Sequence, residues 1–541
     1  MSMSLTQLDI ALIGTYFVVL MALACYFSRR EKTSTDYFLA GRGTGWVVIG
    51  ASLFASNISS EHFVSLAGSG ASRGLAVGHF EWLACLVVLL LGWMFVPVYF
   101  SSGVSTTPEF LERRYGRASR IYLSSVSIVA YVLTRISVIL FAGSLLLHEM
   151  VGWDLATSAV VMVCVAGVYS VAGGLKAIVH LDVFQSAVLL AGAALLTGLG
   201  LREVGGWHGL QHRVPQEFFH MIKPPSDPDF PWTGILFGAP VLSVWYWCTD
   251  QYAVQRVLSG KNIDQARSGA ILAGFLKILP VFVLVLPGLI AHALSGDSTL
   301  GARAYPVLAA CTLLPPGVKG VVVVSLMAAL ISSLASCFNS SSALFTMDFY
   351  REVRPQVTEK ELVLVGRLAT TALVILAILW VPFMRYISSQ IFAYLQRVQA
   401  YVGPPVAAVF VIGILWPRVN AKGAICSLCV GTIAGALRLV LELLDKTGRL
   451  GCALLEQMAR IHFLHFAALL FALSAIVLVG VSLVTAQRSP HQSKVSSVPH
   501  GALAGQYAWA AGNCNHTWHR ANVAFSILLV IVVLLLYSRF L

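Results

Sequence analysis

The chain has 541 residues, 57% of them hydrophobic and only 11% charged, with a net charge of +12 and a mean hydropathy of +0.80. A soluble protein of this length needs far more charge to cover its surface, so the composition excludes one and implies a polytopic membrane protein. The basic excess does not point to nucleic acid, because Lys and Arg are scattered through loops and not gathered on one amphipathic face.

A membrane span takes ~20 mostly apolar residues, and fourteen stretches qualify: 7–27, 45–70, 76–100, 118–149, 155–173, 178–202, 232–257, 268–295, 317–348, 361–384, 389–417, 422–444, 461–486 and 520–540. The first, from Asp9 to Phe27, has no basic n-region before it and no small-residue cleavage pattern, so it is expected to be a permanent span. The second contains G-A-S-L-F-A-S-N-I-S-S-E-H-F-V-S-L-A-G-S-G, Gly50 to Gly70, which is rich in serine and carries Asn57, Glu61 and His62. Polar residues at membrane depth face protein or a cavity. A helix of this composition is expected to unwind partway across, leaving carbonyls for a cation and half-helix ends for a solute.

The second and seventh segments are the least lipid-like, and they lie five segments apart. Matching interruptions in two halves indicate inverted repeats with a midplane site between them. The repeats are expected over 45–202 and 232–417. Residues 1–44 then form a first accessory helix and loop, and 418–541 three further accessory helices, all in one membrane transport domain without an appended catalytic domain. Arg29, Arg30, Lys32 and Arg42, then Arg113, Arg114, Arg117 and Arg120, then Arg351, Arg354 and Lys360 fall on one side if the segments alternate. That side carries roughly twenty basic residues against about ten, which makes it cytoplasmic and puts both termini outside. The N-x-T site at Asn515 would lie inside, where glycosylation is not expected. The ten cysteines lie mostly in apolar runs. The one C-x-x-C, Cys426 to Cys429, has no second pair or nearby histidine, so packing is expected over metal or redox chemistry.

Several groups within the apolar segments are costly there unless partnered. Glu81, Lys277 and Gln396 are such groups. Lys277 could be a snorkelling anchor, but it lies near the middle of its segment, which favours function. Asp182 and Arg135 are expected to form a structural ion pair or to cap a helix end. Ser332 and Ser333 sit on an otherwise apolar helix, where back-bonding to the helix itself competes with a role as ion ligands. Pro404 and Pro405 are expected to kink or break their helix, as a hinge would.

The stretches F-L-A-G-R at 38–42, G-A-S-L-F-A-S-N-I at 50–58, F-E-W at 80–82, W-Y-W-C-T-D-Q at 245–251, S-S-L-A-S-C-F-N-S at 332–340 and F-T-M-D-F-Y at 345–350 resemble the sodium/solute symporter family. The sodium/glucose cotransporter branch is the most similar, in register from about Asp9 to Arg418. The resemblance implies an all-α LeuT-type fold, with two inverted five-helix repeats plus accessory helices. It implies a sodium site of the Ser332 and Ser333 side chains with the carbonyls of Ala329, Ala55 and Ile58. It also implies sugar contacts from Asn57, His62, Glu81, Lys277 and Gln396, with Tyr246 closing the site from the inside and Trp247 beside it. Ser243 stands where relatives have Thr or Asn. In three places the chain departs from the pattern. I-x-S-E-H at 58–62 replaces the G-S-G-H of animal sugar carriers, Leu181 replaces a usual threonine, and Ala335 replaces a hydroxyl of two-sodium carriers while Ser336 remains.

The function expected is therefore sodium-coupled uptake of a neutral hexose by alternating access, in a plasma or inner membrane. Sugar, sodium and lipid are the expected partners, sodium is the coupling ion, and no cofactor is expected. Another solute, such as myo-inositol, a sialic acid, an amino acid or a vitamin, is the alternative within transport. An anionic one is disfavoured because Glu81 offsets Lys277. A non-transporting sugar sensor is the alternative outside transport, and the intact Gln396 argues against it. No nucleophile, base and acid collect as in an enzyme, and no zinc or phosphate-loop motif occurs.

Overall fold

The computed structural model describes residues 5–29, 33–312, 314–382, 389–485 and 516–540, with the side chains of 389–396 excepted, and no strand occurs among them. Helix α1 (Gln7–Ser28) starts at a capping box between Thr6 and Asp9. The serine-rich stretch forms two helices, α2 (Trp46–Asn57) and α3 (Ser60–Arg73), separated by extended backbone at Ile58 and Ser59. Ser59 causes the break by capping α3. Its hydroxyl accepts the Glu61 amide at 3.2 Å, and its own amide donates to His62 Nδ1 at 3.3 Å. With that amide turned away, the Ala55 carbonyl loses the partner that a continuing helix would supply.

Helix α4 (His79–Leu90) runs through a π-helical turn, Leu91–Phe95, into Val96–Ser102. Helix α5 (Arg117–Ala130) continues through another, Tyr131–Ile136, into Ser137–Val151. Helix α6 (Leu155–Glu203) breaks only at Gly174, whose φ of +46° and ψ of −153° are open to glycine. A Cβ there would lie 2.5 Å from the Tyr37 carbonyl oxygen. Helix α7 (Ala239–Val244) passes into the π-helical turn Trp245–Thr249 and stops at Asp250, which caps α8 (Gln251–Leu258). Then follow α9 (Ile263–Leu276), α10 (Leu286–Ser295), α11 (Val318–Leu344), α12 (Glu359–Trp380), α13 (Ser389–Leu415), α14 (Ala421–Lys446), α15 (Phe463–Val484) and α16 (His516–Arg539).

Among the described residues, eleven helices are long and apolar enough to cross a membrane. That number differs from the fourteen expected segments for a geometric reason. The long run of α6 counts once, and the pieces α2, α7 and α8 are too short to count. The span that begins with α11 is the axis of the bundle: 94% of its most apolar window is buried, against 17% for α1 and α16. Its serines therefore meet protein and not lipid. Helices α1 and α6 pack on it, and α2 lies between α6 and α9. Helices α3 and α10 touch backbone to backbone. A Cβ on Gly70 would sit 2.3 Å from the Val285 carbonyl oxygen, and one on Gly288 2.0 Å from that of Ala67. Small residues give membrane helices this close approach.

Helix α13 is one helix through Pro404 and Pro405, so the expected break is absent there. Tertiary packing supports it: Pro405 lies against Gly431 of α14, where a Cβ would be 2.4 Å from the proline ring. At the ends of the chain, Asp9 Oδ1 accepts the Gly317 and Gly320 amides at 2.9 and 2.7 Å. The Met221 amide donates to the Phe540 carbonyl at 2.9 Å. Both described ends thus lie on the face that carries the loops around 204–231 and 296–317.

Candidate functional site

From that face a cavity of about 940 Å³ reaches the breaks in α2–α3 and α7–α8. Asn57, His62, Glu81, Ser243, Tyr246, Trp247 and Lys277 all line it. The eighth expected solute residue, Gln396, lies outside the described side chains. Local structure sets each position. Asn57 is the last residue of α2 and His62 is in the first turn of α3, so the break turns both inward. Glu81 is in the first turn of α4, where the helix dipole favours an acid. Lys277 follows the last residue of α9, where the dipole favours a cation, and Pro280 prevents the helix from simply continuing. The π-helical turn after α7 holds Tyr246 and Trp247, with Ser243 one turn earlier.

Lys277 and Glu81 are 1% and 3% exposed. They form a direct ion pair, and Lys277 Nζ also donates to Asn57 Oδ1 at 2.5 Å. A buried pair is tolerable only with such extra hydrogen bonds. His62 Nε2 stands 3.7 Å from Glu81 Oε1. Lys277 Nζ is 5.8 Å from the centre of a Trp247 ring, and the Tyr246 and Trp247 rings meet edge to face at 5.0 Å. Donors and acceptors beside an aromatic wall suit a polyhydroxylated ring.

Beneath Tyr246 the cavity floor is built from charge. Arg135 lies 4.9 Å from the Tyr246 ring centre and 4.3 Å from that of Tyr252. Its Nη2 is 2.7 Å from Asp250 Oδ2. Asp250 also receives the Tyr131 hydroxyl and, at 3.2 Å, the Tyr252 amide. Arg135 therefore holds the break between α7 and α8 through Asp250.

The other break adjoins the residues expected for sodium. Ala55, Ile58, Ala329, Ser332 and Ser333 are all buried. Ser333 Oγ donates to the Ile58 carbonyl at 3.1 Å and to that of Ser56 at 3.2 Å. The Tyr252 hydroxyl donates to the Ser56 carbonyl at 2.7 Å. Ser332, its neighbour, turns to a different helix and donates to Asp182 Oδ1 at 2.6 Å. Both serines thus bond across to other helices and not back to their own. Neutral oxygens of this kind fit a hard cation such as sodium.

Asp182 and Arg135 belong to two different pairs. Asp182 accepts Ser52 Oγ at 2.5 Å and lies 3.9 Å from Arg256 Nη2, while Arg256 also contacts Ser52 and Ser336. Asp250, Tyr252 and Arg256 were missed in the sequence, although their position in an apolar segment was itself a signal. Arg120, counted above among the basic loop residues, lies in α5 and forms a buried pair with Asp348, and Arg438 forms one with Glu442. Of the C-x-x-C pair, Cys426 is half-buried and Cys429 is exposed, so the latter does not pack as expected.

Three comparisons bear on this arrangement. The family described as the sodium:solute symporter family matches residues 37–431. Sodium/glucose cotransporter 4 of Danio rerio is 41% identical over 523 residues, covering 89% of this chain and 80% of its own. Sodium/glucose cotransporter 1 of Oryctolagus cuniculus is 39% identical over 524 residues, covering 88% and 79%. The solved structure of a Na+-coupled sialic acid symporter, substrate-bound and outward-open, aligns with a TM-score of 0.77 at 21% identity over 89% of this chain and 98% of that one. A nucleobase-cation-symport-1 family transporter in a closed conformation aligns at 0.52 and 16% identity, over 86% of this chain and 98% of that one. The fold shared with them is the LeuT-type arrangement, all-α and polytopic.

Proposed function

Because this chain belongs to the sodium:solute symporter family, we propose that it couples inward sodium flow to uptake of a neutral hexose by alternating access. It is a multi-pass membrane transporter and not an enzyme. The observation that carries the hexose reading is the Lys277–Glu81–Asn57 cluster beside Trp247, which offers hydroxyl partners without surplus positive charge. The names of its relatives, sodium/glucose cotransporters at about 40% identity, support the same solute.

Coupling follows from adjacency. Asn57 faces the cavity, and the next residue, Ile58, turns its carbonyl to Ser333. Sugar on Asn57 and sodium on the Ile58 carbonyl would each hold the same two-residue break in one conformation. Each would then raise the other's affinity by the same factor. Ser333 with the Ala55, Ile58 and Ala329 carbonyls would supply most of the sodium oxygens, and Ser332 would have to share its hydroxyl with Asp182. His62, Ser243 and Gln396 would complete the sugar contacts, and Tyr246 would close them from the cytoplasmic side. Repeats at 45–202 and 232–417 would rock about this point. The charge bias of the loops puts the cavity mouth outside, so the conformation is outward-facing.

The test is uptake of labelled glucose, galactose, mannose and myo-inositol into proteoliposomes, with and without an inward sodium gradient. Accumulation of a hexose only with the gradient is expected. Sodium-independent uptake, or a preference for myo-inositol, would sink the reading.

A further inference from the structure

We propose that a second pocket, between the helix Gly206–Arg213, the turn Gln216–Phe219 and the end of α16, binds a phosphate anion, either free or as the headgroup of a lipid. The pocket has a volume of about 490 Å³ and lies on the same face as the mouth of the main cavity. Six polar side chains line it: His208, Gln211, His212, Gln216, His220 and Arg539. Gln211 and His212 follow His208 by three and four positions on one helix, so these three share a face. Among the described residues none of the six side chains makes a hydrogen bond or ion pair with another group of the protein. Their donors are therefore available to a ligand.

The chemistry of this set favours an anion over a cation. Arg539 is a permanent cation whose fork matches phosphate oxygens, and the imidazoles and amides supply further N–H donors. The one carboxylate of the two segments, Glu217, does not line the pocket. Among the described residues no three His, Cys, Asp or Glu gather as a metal ion would need, so the histidines are read as donors and not as metal ligands. The place suits a phosphate as well. Arg539 ends a helix long and apolar enough to cross a membrane, which sets the pocket at the level of lipid headgroups. Beside the donors stands an aromatic wall of the kind found at that level: the Trp207 ring meets Phe219 at 5.6 Å and Phe540 at 6.3 Å, both edge to face. The Phe540 carbonyl accepts the Met221 amide at 2.9 Å, so the loop and the end of α16 are already tied together. Walls held in place before the ligand arrives lower the ordering cost of binding.

The experiment measures equilibrium binding to the full chain, purified with exhaustive detergent exchange into phosphate-free buffer. The probes are radiolabelled inorganic phosphate and, separately, radiolabelled dioctanoyl-phosphatidylglycerol. Saturable binding of at least one probe is expected: inorganic phosphate would identify a free anion, and the short-chain lipid alone a headgroup. Arg539→Gln should weaken that binding by about five- to tenfold, the effect of a hydrogen bond to a charged group discounted for an open pocket. The double variant His208→Ala, His212→Ala should weaken it by a similar factor, and Arg539→Lys, which keeps the charge without the fork, by less than Arg539→Gln. The three substituted side chains are exposed, so the variants should elute as monodisperse protein, and Arg539→Gln carries the test if the double variant does not. No saturable binding of either probe to wild type would overturn the proposal. So would binding unchanged in Arg539→Gln. Zinc binding that the double variant loses, with neither phosphate probe bound by wild type, would overturn it in favour of a metal site.

Discussion

Between α2 and α3 the chain breaks at Ile58 and Ser59, and the gap is surrounded by carbonyls and the hydroxyls of Ser333 and Tyr252. Between α7 and α8 it breaks at Asp250, and a carboxylate fills the gap with Arg135 on it. A break closed by its own ion pair has little need of an external cation. A break lined by neutral oxygens has a place for one. On the proposed function the two interrupted helices would divide the work: the first would hold the transported ion, while the second would serve as a fixed support under the aromatic pair Tyr246 and Trp247.

The sharpest way to break this comparison is Arg135→Met. It strands Asp250 in a buried site, which should cost ~3–5 kcal/mol and show as a large drop in the thermal unfolding temperature in detergent, with or without sodium. If Arg135→Met were as stable as Ser333→Ala, the second break would not depend on its ion pair. Transport stoichiometry is the next test. Asp182 is engaged by Arg256, and Ala335 offers no side-chain oxygen, so one sodium should move per sugar. One charge adds ~2.3 kcal/mol to the driving force per 100 mV. Reversal potentials measured against the sugar gradient should give a ratio near one, and a ratio near two would place a second cation at Asp182 and Ser336.

Lys277→Ala should leave Glu81 and Asn57 without their common partner and cost ~1–3 kcal/mol of sugar binding. That is a roughly five- to 150-fold fall in affinity, read by equilibrium sugar binding, and Gln396→Glu should act in the same direction. A folded Lys277→Ala protein with wild-type sugar affinity would mean that the solute binds elsewhere. The smallest effect is expected from Ser333→Ala, which removes one hydroxyl and leaves the carbonyls. Sodium should bind more weakly by ~1 kcal/mol, and sodium activation of uptake should shift accordingly. Unchanged activation would remove Ser333 from the ion site.

Hydropathy, the polar second and seventh segments and the motifs along the chain were legible in the sequence because each depends on neighbouring residues. The Ser59 cap that ends one half-helix and starts another is of the same kind: the groups it uses lie within three positions. Glu81, Lys277 and Gln396 were also recognisable one by one, since a charge or amide in an apolar segment stands out wherever it ends up, whereas Asn57, His62, Ser243, Tyr246 and Trp247 were reached only through the family resemblance. Partner choice was not legible. Arg135 meets Asp250 across 115 positions, and Ser333 meets Ile58 across 275. Ser332 and Ser333 are adjacent, yet helical geometry points them at α6 and α2 respectively. The continuity of α13 through two prolines likewise depends on Gly431 of a neighbouring helix. What the sequence determined by itself is which stretches form helices and which residues are costly in lipid. Which charge neutralises which was decided by the tertiary structure, because electrostatic balance depends on distance in space and not on separation along the chain.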